Sequence, residues 1–203
     1  MKLLVATHNQ GKLAEYRTLL VAWPLEFVSL SDVGIEHDVE ETGETFEANA
    51  QLKAEQYGAM TGLLTLADDS GLAVDALDGR PGVYSARYGT PDLDDAGRRH
   101  LLLKELEGVP REQRTAHFIC VIALHDPRQP DKKVTHFVAG QCDGHITTQD
   151  HDAGQGFGYD AIFQPDDQTQ TFGELPQDIK HALSHRGRAA AKLPEIMALV
   201  VSE

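Results

Sequence analysis

The chain has 203 residues, enough to bury a core without disulfide or metal staples, and its apolar and charged fractions, 41% and 25%, are ordinary for a globular protein. A formal net charge of −14 argues against a nucleic-acid polymer as partner, because a phosphate backbone is met by a basic surface, yet a local cluster of lysine, arginine and backbone N–H groups can still hold a small anion. No run of about 18 apolar residues occurs, so no membrane span and no membrane partner is expected.

Residues 2–6 read as a buried first strand. This apolar run is too short for a secretory signal and gives way to Thr7-His8-Asn9-Gln10, so a cytoplasmic location is expected. Residues 11–22 read as a helix, with Leu13, Tyr16, Leu19 and Leu20 at helical spacing, and residues 25–30 as a second strand closing a βαβ unit. A helix over 45–58 carries Phe46, Ala50, Leu52 and Tyr57 on one face, with Thr45 as a partial cap signal. Residues 63–67 form a short apolar strand that ends at Asp68-Asp69-Ser70-Gly71; residues 72–77 are strand-like again, and Asp78-Gly79-Arg80-Pro81-Gly82 is turn chemistry. A third helix is predicted over 92–106, opened by Pro91-Asp92. The runs 116–124 and 133–139, split by Asp126-Pro127-Arg128-Gln129-Pro130, predict a hairpin, with a further strand over 141–147. Residues 150–160 are a glycine-rich loop, and helices are expected at 176–183 and 187–202. Neither a repeat nor a linker divides the chain, which reads as a single domain, residues 1–203, of two fused lobes. Cys120 and Cys142 lack zinc-site spacing and are expected to be reduced and partly buried.

Five constellations have residue types suited to chemistry. Thr7-His8-Asn9-Gln10-Gly11-Lys12 joins a strand to a helix, where helix N–H groups and a lysine suit an anion; it equally fits a capped turn with a surface lysine. Asp68-Asp69-Ser70-Gly71 follows a buried strand, and carboxylates leaving an apolar strand are costly unless paired or metal-bound. Neighbouring strand residues point to opposite faces, so one of the two aspartates is expected to face a site. Glu40-Glu41-Thr42-Gly43-Glu44 offers hard oxygen ligands or simply a charged loop. Gly154-Gln155-Gly156-Phe157-Gly158-Tyr159-Asp160 combines a tight backbone path with an aromatic face suited to a planar base, or to the core. Ser184-His185-Arg186-Gly187-Arg188, with Lys180 ahead of it, supplies hydrogen-bond donors or a solvated basic stretch. The other histidines show neither HxH nor HExxH spacing and read as surface or core residues.

Taken together, Thr7-x-Asn9-x-x-Lys12, Glu41-Thr42-Gly43-x-Thr45-Phe46, Ala67-Asp68-Asp69-Ser70-Gly71-Leu72, Gly79-x-Pro81-Gly82-x-Tyr84-Ser85-Ala86-Arg87-Tyr88, Gly156-Phe157-Gly158-Tyr159-Asp160 and Ser184-His185-Arg186-Gly187 resemble the motifs of inosine triphosphate pyrophosphatases, the non-canonical purine NTP (dITP/XTP) pyrophosphatases, from residue 3 to about 193. The resemblance implies an α/β fold, an elongated mixed sheet with flanking helices and two lobes around a central substrate cleft, in a homodimer. It implies hydrolysis of ITP, dITP and XTP to monophosphate and pyrophosphate with Mg2+ as cofactor. In that scheme Thr7, His8, Asn9, Gln10, Gly11 and Lys12 hold the triphosphate, Asp69 is the general base and a metal neighbour, and Ser70 touches substrate. Glu41, or its neighbour Glu40, completes the metal site. Phe157, Gly158, Tyr159, Asp160, Lys180, His185 and Arg186 bind base and sugar. A pyrophosphatase of pyrimidine or modified nucleotides and a non-catalytic nucleotide-binding protein are the competing expectations.

Overall fold

In a computed structural model, which describes residues 1–128 and 134–201, strand β1 (Lys2–Val5) sends successive side chains to opposite sides. Leu3 and Val5 join one apolar cluster, while Leu4 and the following Ala6 join another. This two-residue period marks a strand buried on both faces. Helix α1 (Gln10–Leu19) packs Leu13 and Tyr16 into the first cluster, and strand β2 (Glu26–Ser29) lies parallel to β1 with Leu3 opposite Phe27, so the expected βαβ unit is present. Helix α2 (Phe46–Thr61) is capped by Thr45, whose hydroxyl accepts from the Ala48 N–H at 3.1 Å. It presents Ala50, Ala54 and Tyr57 to the second cluster.

Strand β3 (Leu64–Val74) corrects the sequence reading. The two strand-like runs around Asp68-Asp69-Ser70-Gly71 are one continuous strand. A turn is unnecessary there because each aspartate finds partners at its own face of the sheet, so the backbone stays in the ladder.

The chain forms two compact units, one built from Met1–Asp69, Cys120–Gly140 and the segment from Arg186 on, the other from Ser70–Ile119 and Gln141–His185. Further departures from expectation lie at element ends. Helix α3 (Asp95–Glu105) starts three residues later than expected, because Asp94, not Asp92, caps it by accepting from the Gly97 N–H at 2.8 Å. Strand β4 (Thr115–His125) is followed by β5 (Thr135–Ile146), one long strand where two were expected. The turn residues Gln129-Pro130 and the strand start at Lys133 lie outside the described residues. Strand β6 (Phe163–Pro165) pairs antiparallel with β5 and was not predicted, its three residues being too few to show a period. The sheet order is β2-β1-β3-β4-β5-β6, with β1 parallel to both β2 and β3, so the sheet is mixed. Helix α4 (Gln177–Leu183) matches expectation, but the long helix expected over 187–202 is two, α5 (His185–Ala190) and α6 (Leu193–Val201). Pro194 explains the break: it has no N–H to bond back to residue 190, whereas in the first turn of a new helix that N–H is not needed. Residue 202 lies outside the described residues.

In the second unit, Leu72, Val74, Leu102, Ala116, Phe118, Ile162, Phe163 and Phe172 form a third apolar cluster. Cys120 and Cys142 are both thiols, and both are fully buried rather than partly buried as expected. No described helix is long and apolar enough to cross a membrane.

Candidate functional site

The alternation that buries β3 also sorts its acidic residues. Leu64 and Leu66 point into the cluster shared with α1, and Ala67 points into the cluster shared with α2. Carried two residues on, the parity sends Asp68 toward α1 and Asp69 toward α2. Asp68 meets the ammonium of Lys12 at 2.9 Å, the guanidinium of Arg186 at 3.3 Å and the thiol of Cys120 at 3.7 Å. Arg186 is itself buried and also ion-paired with Glu15 of α1. Burial pushes the Asp68 carboxyl up, but Lys12, Arg186 and Lys53 outweigh it and hold the group well below the usual carboxylate range. Burial likewise drives the Cys120 thiol up to about 12, so it stays protonated beside this carboxylate.

Asp69 has the opposite balance. Its Oδ2 accepts from the Asn49 amide at 3.0 Å, and the Lys53 ammonium stands 3.9 Å from Oδ1. Burial raises its carboxyl, Glu41 raises it further, and Lys53, Lys12 and Asn49 only partly offset this, so it stands above its ordinary value. Lys53 is paired with Glu41, which draws Glu41 into the same group of charges, whereas Glu40 is exposed. Asn49 is oriented in turn by the Gly43 N–H, which donates to its Oδ1 at 2.7 Å. A Cβ on Gly43 would lie 2.6 Å from that oxygen, so the glycine is what lets the backbone reach Asn49.

The loop between β1 and α1 places its residues at the head of the helix. Asn9 caps α1, its side chain accepting from the Lys12 N–H at 3.0 Å, and its own N–H donates to the Thr7 hydroxyl at 3.2 Å. His8 lies against the carbonyl of His37 at 3.3 Å, and Tyr57 donates to that same carbonyl at 3.2 Å while accepting from the Val39 N–H. These contacts tie the segment leading to Glu41 to the anion-loop candidate. Gln10 and Asn9 are exposed.

Magnesium takes oxygen donors and commonly sits on one or two carboxylates, with substrate phosphates completing its shell. Among the described residues no three of His, Cys, Asp and Glu converge to hold a metal by themselves. The donor chemistry nevertheless fits the smaller protein share: Asp69 and Glu41, two carboxylates, lie within electrostatic reach of each other. Asp68, Asp69, Glu41 and Glu15 meet Lys12, Lys53 and Arg186 in this network of charges.

The second unit holds the other set. Asp160 is buried and accepts from the Phe157 N–H and from the Lys180 ammonium, both at 2.8 Å. Lys180 also lies over the Phe157 ring, 5.2 Å from its centroid. The Tyr159 hydroxyl donates to the Ser85 carbonyl at 3.0 Å, and His185 is buried and stacked on Phe118, centroids 4.6 Å apart and planes within 8°. A Cβ on Gly156, whose φ is +97°, would fall 2.5 Å from the Asp160 carboxylate, so loop and carboxylate are packed on each other.

The first unit thus holds an oriented carboxylate with flanking lysines and the second an aromatic-bearing glycine loop, on a chain that matches known proteins along almost its full length. Residues 3–196 match the family model described as the Ham1 family. The chain belongs to the Ham1 family. It is 43% identical over 196 residues to the dITP/XTP pyrophosphatase of Bacillus licheniformis, covering 97% of each chain. It is 48% identical over 194 residues to that of Geobacter sulfurreducens, covering 96% of this chain and 95% of the relative. Among solved structures, a HAM1 protein from Coxiella burnetii superposes with a TM-score of 0.86 at 37% identity, covering 98% of both chains. The resemblance read from the motifs and the expected mixed α/β sheet with flanking helices are thus borne out.

Within this Ham1-family chain the structure brings together Asp68, Asp69, Glu41 and Lys12 in the first unit, and Phe157, Asp160 and Lys180 in the second. It separates neighbours as well. His185 stacks within the second unit, while the Arg186 guanidinium is committed to Asp68 and Glu15 in the first. Ser70 opens the second unit, and its side chain is half-buried. Three residues escaped the sequence reading: Asn49 and Lys53, one helical turn apart on α2, and Glu15 on α1. The i, i+4 spacing of Asn49 and Lys53 was visible, but nothing in sequence said that this face of α2 meets Asp69.

Proposed function

We propose that the chain hydrolyses non-canonical purine nucleoside triphosphates (ITP, dITP, XTP) to monophosphate and pyrophosphate, clearing them from the nucleotide pool. The observation that carries this reading is Asp69, raised in pKa and held by Asn49 beside Lys53 and Lys12, in a chain akin to dITP/XTP pyrophosphatases. Water attacks the α-phosphorus, the new P–O bond forms as the bond to the bridging oxygen breaks, and pyrophosphate leaves. Asp69 orients the water and takes its proton; a general base contributes roughly 10² to 10⁴-fold. Asn49 fixes the carboxylate for that transfer. Lys12, Lys53 and the N–H groups of the Thr7 to Lys12 loop stabilise charge on the phosphates, Lys12 exchanging Asp68 for phosphate oxygen. Asp69 and Glu41 would be the protein ligands of magnesium, which would offset the charge of the leaving pyrophosphate and acidify water.

Phe157 offers the purine a stacking face, and Gly158, Tyr159, Asp160 and Lys180 shape its surroundings. Hypoxanthine and xanthine present an acceptor at C6 where adenine presents a donor. His185 is the donor best suited to that carbonyl, since Arg186 is held by Asp68 and Glu15. One mispaired donor costs about 1–3 kcal/mol, a discrimination of about 5- to 150-fold. The test is pyrophosphate release from ITP, dITP, XTP, ATP, GTP and dUTP, with and without EDTA. Preferential turnover of the first three, stopped by chelator, is expected. Equal turnover of ATP removes the C6 assignment, preference for dUTP favours the pyrimidine alternative, and turnover in EDTA removes the metal. The same resemblance implies a homodimer, which light scattering of the purified chain tests.

A further inference from the structure

Residues 151–156 of the glycine loop are exposed and form no helix or strand, so apolar packing does not hold them in place. One turn of α3 grips the loop from the side. Asp95 and Arg99 stand four residues apart and so share a face of that helix. Arg99 is buried, its side chain only 6% exposed. Its Nε donates to Asp150 at 2.7 Å, one terminal nitrogen to Asp152 at 2.9 Å and the other to the carbonyl of Gly158 at 3.0 Å. The N–H of Gly158 donates to Asp95 at 2.9 Å, and Asp152 accepts from the Gly154 N–H at 2.9 Å. Gly158 is therefore gripped by both its backbone polar groups, next to Phe157 and two residues before Asp160.

On the reading that this loop receives the purine, we propose that Arg99 and Asp95 are positioning residues for base recognition. Without touching substrate, they set where Phe157 and Asp160 stand and so the discrimination between 6-oxo and 6-amino purines. The planar guanidinium is suited to this because its donors leave in fixed directions toward three acceptors at once; a lysine ammonium has no such fork.

The experiment compares Arg99→Lys, Asp95→Ala and Phe157→Ala in the full chain, with ITP and ATP as substrates and inorganic tripolyphosphate as a base-free competitive inhibitor. The expected result for Arg99→Lys and Asp95→Ala is a KM for ITP raised about ten- to hundredfold with kcat little changed, since a small misplacement far from the chemistry has costs of that order. The ITP-over-ATP preference falls, and inhibition by tripolyphosphate is unaltered. Asp95 is exposed, so its variant reads out the clamp even should Arg99→Lys fail to fold. An unchanged KM and preference in the folded variants overturns the proposal, as does a parallel weakening of tripolyphosphate inhibition, which marks a global disturbance. If Phe157→Ala also leaves the KM for ITP unchanged, it is the purine-loop reading that has failed, and the clamp falls with it. An effect of Phe157→Ala alone rejects only the clamp.

Discussion

The carboxylates at Asp68 and Asp69 and the carboxylate at Asp160 are all buried, yet they are neutralised in different ways. Asp160 has a tight pairing with Lys180, whose side chain is 2% exposed, plus one backbone N–H. The first unit spreads its charge: Lys12 and Lys53 keep some exposure, at 14% and 13%, Lys53 is only 3.9 Å from Asp69, and one oxygen of Asp68 has no hydrogen-bond partner among the described residues. A tight pair rigidifies a loop and suits recognition by shape. A loosely balanced cluster can accept a new anion, a cation or a proton without leaving a buried charge stranded, and suits chemistry.

The largest expected effect breaks the cluster at its base. Asp69→Asn keeps an acceptor for Asn49 and so keeps the fold, but loses the proton acceptor; pyrophosphate release from ITP should fall by roughly 10² to 10⁴-fold. Wild-type rates in this variant would remove Asp69 from the mechanism. Next comes the tight pair. Lys180→Met strands the buried Asp160 carboxylate, and breaking a buried pair costs about 3–5 kcal/mol, which urea unfolding measures directly. A loss below about 1 kcal/mol, the range of an exposed pair, would mean that Asp160 is not confined as described.

Two pH experiments sharpen the contrast with smaller effects. The folded-state pKa of Asp68 is depressed, so its contribution is present above the unfolded carboxyl value of about 3.9 and is lost as pH falls through the lower folded one. Replacing it by asparagine should therefore flatten the acid limb of a stability–pH curve below about pH 4; an unaltered limb would contradict the Lys12 and Arg186 pairing. His117 runs the other way. Burial lowers it, but Asp143 at 2.7 Å and Asp75 at 3.3 Å outweigh that and raise it, so its contribution is present below the unfolded value of about 6.5 and fades as pH rises through the higher folded one. His117→Gln should leave a slightly shallower fall in stability above neutrality; NMR titration of the ring would show the raised pKa, and an ordinary value would refute it.

Sequence by itself determined the βαβ start, α2 with its Thr45 cap and the candidate motifs, because strand and helix periods and cap chemistry are local. The order of glycine, aromatic and acidic residues in Gly156-Phe157-Gly158-Tyr159-Asp160 and the adjacent Asp68-Asp69 were legible for the same reason. Only the tertiary structure decided which partner each acquires. That Asp68 faces Lys12 and Arg186 while Asp69 faces Asn49 and Lys53 follows from the pleat of β3 combined with which helix covers each face, and residues 118 positions apart, Asp68 and Arg186, meet only by folding. The continuity of β3, the break before Pro194 and the grip of Arg99 on Gly158 belong to the same class. Each depends on whether a distant group satisfies a polar atom or occupies a space, and that is settled by packing rather than by neighbours in the chain.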